Sequence, residues 1–305
     1  MKFPHATPAR TLVLAACALA LPLAGCTTPP QDAGTEPSRD VTLRIAPNED
    51  PTGQALAHVY GDALEQLGYT IRFTKPSQDP YRQLAEGAAD IAIDTAPEAI
   101  GLLPAEQDPR GEDQLLAGDE AKKLVGLLND TELGFTALPL TQGDAGAVMV
   151  LSGAEATEYS VTSVASLAAA CSELTFISAA APTAGLENAL EDAGCAKPVF
   201  RTVDAATLHD ELRAAVSRVV VLQQHDAVIG DEAFTMVDGS AKLFDAAPYL
   251  ALAGEAVDQD AVDGLNQVTR QVNQQALVGL NRMVSGPDAI APDDAAQRWR
   301  WIIDN

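Results

Sequence analysis

"VTLRIAPNEDPTGQALAHVYGDALEQLGYTIRFT", residues 41–74, decides the fold. Its first six residues are short and β-branched and read as a strand. Leu56, Val59, Tyr60, Ala63, Leu64 and Leu67 then recur at helical spacing, and Gly68 is a natural helix stop. "TIRFT", residues 70–74, is again strand-like. Strand, helix and strand within so few residues specify a βαβ unit, because parallel neighbours need a crossover between them.

The pattern continues outward. "PYRQLAEG" reads as a short helix and "ADIAID", residues 89–94, as a third strand. "AEQDPRGEDQLLAGDEAKKLVGLLND" reads as a charged helical region. A second α/β region starts at "AVMVL", residues 147–151. It continues through a helix at "SVASLAAAC", a strand at "LTFIS" and helices at "TAGLENALEDAG" and "TLHDELRAAV". "RVVVLQQ" is a continuous apolar strand of the buried parallel type. "AFTMVD" is strand-like, Gln259 to Met283 reads as one long helix, and "DDAAQRWRWII" closes the chain as an amphipathic helix. Trp299 and Trp301 stand two apart on that helix, so only one can pack inward.

The chain has 305 residues, 47% of them apolar, and a formal net charge of -24. Such acidity disfavours nucleic acid, whose phosphates need a basic face. It equally disfavours loose binding to anionic lipid headgroups. The four histidines show no metal-ligand spacing. No nucleotide-binding, hydrolase or metalloprotease motif is present. No enzyme and no cofactor is expected.

Residues 1–25 have a basic start at Lys2 and Arg10, an apolar middle, and small residues before Cys26. That is an export signal, too short for a comfortable membrane span. "TTPPQDAGTEPSRD", residues 27–40, reads as a flexible tether. Cys171 and Cys195 remain in an exported domain. A disulfide between them is expected, the other reading being two buried thiols.

The "LAGC" ending, residues 23–26, resembles the lipobox of bacterial lipoproteins. The resemblance implies cleavage before Cys26 and lipid on that residue, hence an extracytoplasmic, membrane-anchored protein. Several longer stretches resemble the substrate-binding lipoproteins of ABC importers for glycine betaine, choline and related quaternary amines. They are "APNEDPTGQALAHVYGDALEQLGYTIRF" (46–73), "LAEGAADIAIDTAPEAIGLL" (84–103), "TSVASL" (162–167), "AAPYLALAGEAVDQDAVDGLNQVTRQVNQQ" (246–275) and "AAQRWRWI" (295–302). They occur in the family's order across most of residues 41–305.

The resemblance implies a two-lobed, type II periplasmic-binding-protein-like α/β fold. Each lobe would be a mainly parallel sheet with flanking helices, joined to the other by two crossover strands. Lobe 1 would take residues 41–138 and 234–305, and lobe 2 residues 139–233. It also implies a small-molecule solute in the cleft, a permease and an ATPase on separate chains, and no catalysis. A lipid-anchored interaction module that has lost its solute is the alternative. A two-lobed enzyme, such as a deaminase or transferase, is a more distant one.

The family's aromatic-cage and carboxylate-binding motifs are altered. Its P-E-Y-T-G stretch reads Pro97-Glu98-Ala99-Ile100-Gly101, its F-T-E reads Asp50-Pro51-Thr52, and its arginine falls around Ala181-Pro182-Thr183. Either polar groups rebuild the site or the solute differs. Loops at strand ends supply the candidates. They are Asn48, Glu49, Asp50 and Thr52; Asp94, Thr95 and Glu98; Gln142 and Asp144; and Gln223, Gln224, His225 and Asp226. Tyr81 is the best surviving aromatic. The acidic loops would pair directly with a cationic solute.

Overall fold

The computed structural model describes residues 39–110, 115–214 and 216–304. The export signal, Cys26 and most of the tether lie outside them. The chain opens with β1 (Thr42–Pro47), α1 (Pro51–Gln66), β2 (Thr70–Phe73), α2 (Pro80–Ala85) and β3 (Ile91–Thr95). Next come α3 (Ala96–Ala99), α4 (Gly118–Asp130) and β4 (Phe135–Ala137). The middle holds β5 (Ala147–Leu151), α5 (Gly153–Glu158), α6 (Val164–Ala170), β6 (Thr175–Ser178), α7 (Ala184–Asp192) and β7 (Val199–Thr202). It continues with α8 (Leu208–Arg213), β8 (Arg218–Gln223), α9 (Ala227–Asp231) and β9 (Thr235–Met236). The last elements are β10 (Tyr249–Gly254), α10 (Gln259–Gln271), α11 (Gln274–Ser285) and α12 (Pro292–Asp304).

Two five-stranded sheets result, ordered β2-β1-β3-β10-β4 and β7-β6-β8-β5-β9. In the first, β2, β1 and β3 pair in parallel, while β10 is antiparallel to both β3 and β4. In the second, β7, β6 and β8 pair in parallel, while β5 is antiparallel to both β8 and β9. Each sheet is therefore mixed in its pairing, yet four of its five strands share one direction. The odd strand in each, β10 or β5, is the one that follows a crossing.

Alternation along a strand sends successive side chains to opposite faces. Ile91 and Ile93 enter a core with Leu56, Tyr60 and Leu265, whereas Ala92 enters a second core with Leu84, Leu124 and Leu252. Both faces of the first sheet are thus covered, as parallel strands require. The second sheet repeats the scheme, with Met149, Phe176 and Val219 on one face and Val150, Ile177 and Val220 on the other. Cys171 and Cys195 are joined in a disulfide, with Cα atoms 5.4 Å apart, inside the first of those two layers.

Gly68 ends α1 at φ +92°, a conformation that suits glycine. The segment 259–283 is two helices, not one. Val272 leaves helical geometry and the Asn273 side chain caps the next helix by accepting from the Ala276 N–H. The break frees the Val272 carbonyl, which accepts from the N–H groups of Gln142 and Gly143 at 3.1 and 3.0 Å. Among its described residues, the charged stretch 105–117 holds a single 3-10 turn before α4. Asp108 precedes Pro109, which disfavours helix, and its carboxylate accepts from the Arg110 N–H. Trp299 is buried and Trp301 is 67% exposed.

The chain passes between the sheets through residues 138–146 and 237–248. These segments bond to one another: the Ala145 N–H donates to the Ala247 carbonyl at 3.0 Å. Asp144 Oδ1 accepts from the N–H groups of Gly146 and Ala247 at 2.6 and 2.9 Å.

Candidate functional site

The site is built around the loops that follow β1, β6 and β8, with the end of β3 packed behind the first of them. Asp50 is the N-cap of α1: its Oδ2 accepts from the Gly53 N–H at 2.8 Å, and Pro51 occupies the first turn. The Tyr249 hydroxyl donates to the same oxygen at 3.2 Å. Behind this cap, the buried Asn48 amide donates to Asp94 Oδ1 at 2.8 Å, and the Thr95 N–H donates there at 2.7 Å. Burial pushes the Asp94 carboxyl up to about 7, against those two bonds, with Glu98 and Asp50 adding like charge.

A carboxyl whose pKa is higher folded than unfolded favours folding in its protonated form. Its cost therefore grows as pH rises from about 4 to about 7. Carboxylates held low, such as Asp90 beside Arg44, act in a more acidic window. Asp94→Asn, which keeps the accepting oxygen, is expected to flatten the pH 4–7 slope by up to one proton, about 1.4 kcal/mol per pH unit. Urea unfolding at pH 5 and pH 7.5 checks this; equal slopes for the two proteins would refute it.

From the other sheet, the turn after β8 carries Gln223 to Asp226. Asp226 caps α9 through the Val228 N–H, and its Oδ2 lies 2.7 Å from His209 Nε2, on α8. That bond raises the His209 pKa. His225 is fully buried, and neither ring nitrogen has a hydrogen-bond partner among the described residues. Burial lowers its pKa, opposed by the charges of Asp50, Asp226 and Asp144. Asn281 of α11 ties the two sides together. Its Oδ1 accepts from the Ala227 N–H at 2.9 Å and its Nδ2 donates to Thr52 Oγ1 at 3.2 Å. Beside it, Arg282 grips Asp231 through both carboxylate oxygens.

Between these groups lies a cavity of about 610 Å³. Asp50 and Asn281 line it from one side. Ser178, Ala181, Thr183, Leu208, His209, Gln223 and Asp226 line it from the other, with Phe244 from the return crossing. No lysine or arginine is among its lining residues, and Phe244 is the single benzene ring there.

The candidate residues named from the sequence divide accordingly. Asp50, Gln223 and Asp226 meet at this cavity. Asn48, Thr52, Asp94 and His225 are buried and Thr95 is partly so; none of these five lines it. Glu49 is exposed, and Gln224 donates its N–H to the Gly146 carbonyl. Gln142 and Asp144 border a separate cavity of about 650 Å³ beside the crossings. Glu98 borders a third, with Asp108 and Arg110. Tyr81 is a correction: it is 1% exposed, and its hydroxyl donates toward the Asp94 and Leu250 carbonyls at 3.0 and 2.9 Å. It is a core residue because helix α2 lays it under β3. His209 and Asn281 were missed, since only tertiary folding brings them to the cavity.

The OpuAC family, described as the substrate binding domain of ABC-type glycine betaine transport systems, matches residues 41–300. Among solved structures, one described as a glycine betaine/carnitine/choline ABC transporter is similar at 15% identity. It aligns over 86% of this chain and 98% of its own, with a TM-score of 0.73. Apo YehZ from Escherichia coli aligns over 86% and 98% at 13% identity and a TM-score of 0.67. Lactococcal OpuAC, closed on glycine betaine, aligns over 87% and 97% at 12% identity and 0.54. These likenesses show a two-lobed fold of the type II periplasmic-binding-protein kind. No curated protein sequence matches this one.

Proposed function

The chain belongs to the family of substrate-binding domains of ABC-type glycine betaine transport systems, and from that premise we propose that it captures a small amine solute between its lobes and hands it to a membrane permease. The observation that carries this is the cavity itself. Asp50 and Asn281 reach it from elements packed on the first sheet, and Gln223 and Asp226 from the second. Hinge closure around a solute is the motion such a layout serves.

The lobes are taken as residues 41–138 with 234–305, and 139–233. Among the described residues no helix is long and apolar enough to cross a membrane. The lipobox-like stretch supports anchoring at Cys26 on the extracytoplasmic face. Delivery needs a permease and an ATPase from other chains. The cleft is read as a site of retention, without turnover of the solute.

The test is thermal unfolding of the purified protein against glycine betaine, choline, carnitine, ectoine, polar amino acids and sugars at millimolar concentration. A solute at 100 times its dissociation constant is expected to add about 2.7 kcal/mol. At this chain length that is a rise of about 5–10 °C in Tm. If no solute moves Tm, the transport reading fails, and an interaction module on the same fold takes its place.

A further inference from the structure

Resting on the solute-binding reading, we propose that the cavity selects an organic cation that keeps N–H donors, a primary or secondary amine on an apolar body, with Asp50 as its counter-charge.

The argument starts from the charges. Two carboxylates reach the cavity, and no lysine or arginine lines it. Asp226 is already engaged, by His209 on Oδ2 and by the Val228 N–H on Oδ1. Asp50 is different. Its Oδ2 holds the helix cap and the Tyr249 hydroxyl, whereas Oδ1 carries no hydrogen bond among the described residues. One carboxylate oxygen of this lining residue is thus left without a partner inside the protein. A solute carboxylate would find no lysine or arginine there, only the His209 imidazole already engaged by Asp226, and would meet like charge. Zwitterions and anions are disfavoured on that ground.

The walls then separate kinds of cation. A fully methylated ammonium has no donor for Asp50 and depends on aromatic faces for its attraction. Phe244 alone cannot enclose it. An ammonium with N–H donors makes a charge-assisted hydrogen bond to a carboxylate oxygen, the stronger class of such bonds. Gln223 and Ser178 offer further polar atoms around it. Leu186, Leu208, Leu222 and Phe244 line the rest of the cavity and suit an aliphatic or aromatic body.

The experiment is isothermal titration of the purified protein at pH 7 with matched pairs. These are n-hexylamine against hexyltrimethylammonium, and ethanolamine against choline, with glycine betaine alongside. Each pair keeps its charge and skeleton and loses its N–H donors. The N–H member is expected to bind about tenfold tighter or more. Asp50→Asn retains a good helix cap, and is expected to abolish that preference. Tighter binding of choline, hexyltrimethylammonium or glycine betaine overturns the inference and leaves the transport reading intact. Binding of a sugar with no amine bound overturns the inference and the amine part of the transport reading, and leaves capture of a different solute. Silence across these amines and across the wider solute panel overturns both readings. Should Asp50→Asn fail to fold, the matched pairs on the unaltered protein decide the matter alone.

Discussion

Replacing both Cys171 and Cys195 with alanine is expected to lower the unfolding free energy by about 3 kcal/mol. The bond joins residues 24 apart. Cutting it returns that loop's freedom to the unfolded chain, and for a loop of this size the chain-entropy relation gives roughly that figure. Packing adds to it, because the two residues are 4% and 0% exposed, against Leu167, Leu174 and Leu190. The loss should fall on the second sheet, where α6 and the approach to β7 are held together. Guanidinium unfolding, followed with and without reductant, is the measurement. A double variant within 1 kcal/mol of the parent would show that the bond is idle in stability.

Gly53→Ala is expected to cost about 2–4 kcal/mol and to weaken solute binding, although alanine is the better helix former by about 1 kcal/mol. A Cβ at this position would lie 2.0 Å from Asn48 Oδ1 and 2.8 Å from its Nδ2. Asn48 cannot swing away cheaply. It is 7% exposed and its amide holds Asp94. The substitution must therefore displace a buried amide and take the Asn48 donor from Asp94, leaving it only the Thr95 N–H. Overpacking costs about 1–3 kcal/mol and an unmade buried hydrogen bond about 1–3 more. The sign should reverse in an Asn48→Ala background, where the clash is gone and only helix preference remains. A double-mutant cycle reads this directly. A Gly53→Ala penalty that persists unchanged in that background would place the cause elsewhere.

The sequence was informative where the determinants are local. The strand–helix–strand reading of residues 41–74 matches β1, α1 and β2 because Leu56, Tyr60 and Leu64 share one helix face and all reach the same core. Asp50, Gln223 and Asp226 could be named because strand ends in such sheets deliver loops to a cleft. The helix break at Val272 was not legible, since the apolar spacing runs straight through it. It is fixed by Gln142 and Gly143, some 130 residues away, which need the Val272 carbonyl. Asn281 and His209 were hidden for the same reason. A surviving tyrosine invited a cleft role for Tyr81, yet two carbonyls behind β3 claim its hydroxyl.

The paired crossings carry a mechanical consequence. Residues 138–146 and 237–248 meet through the Ala145–Ala247 bond, the Asp144 carboxylate and an antiparallel bridge between Asp144 and Pro248. Two segments bonded side by side at this point form a short ribbon, which resists sliding along its length and flexes across its thin direction. Motion about such a ribbon is expected to be calliper-like, with one dominant opening coordinate. One inter-label distance across the jaws should track its whole travel, and a second distance should add no independent coordinate.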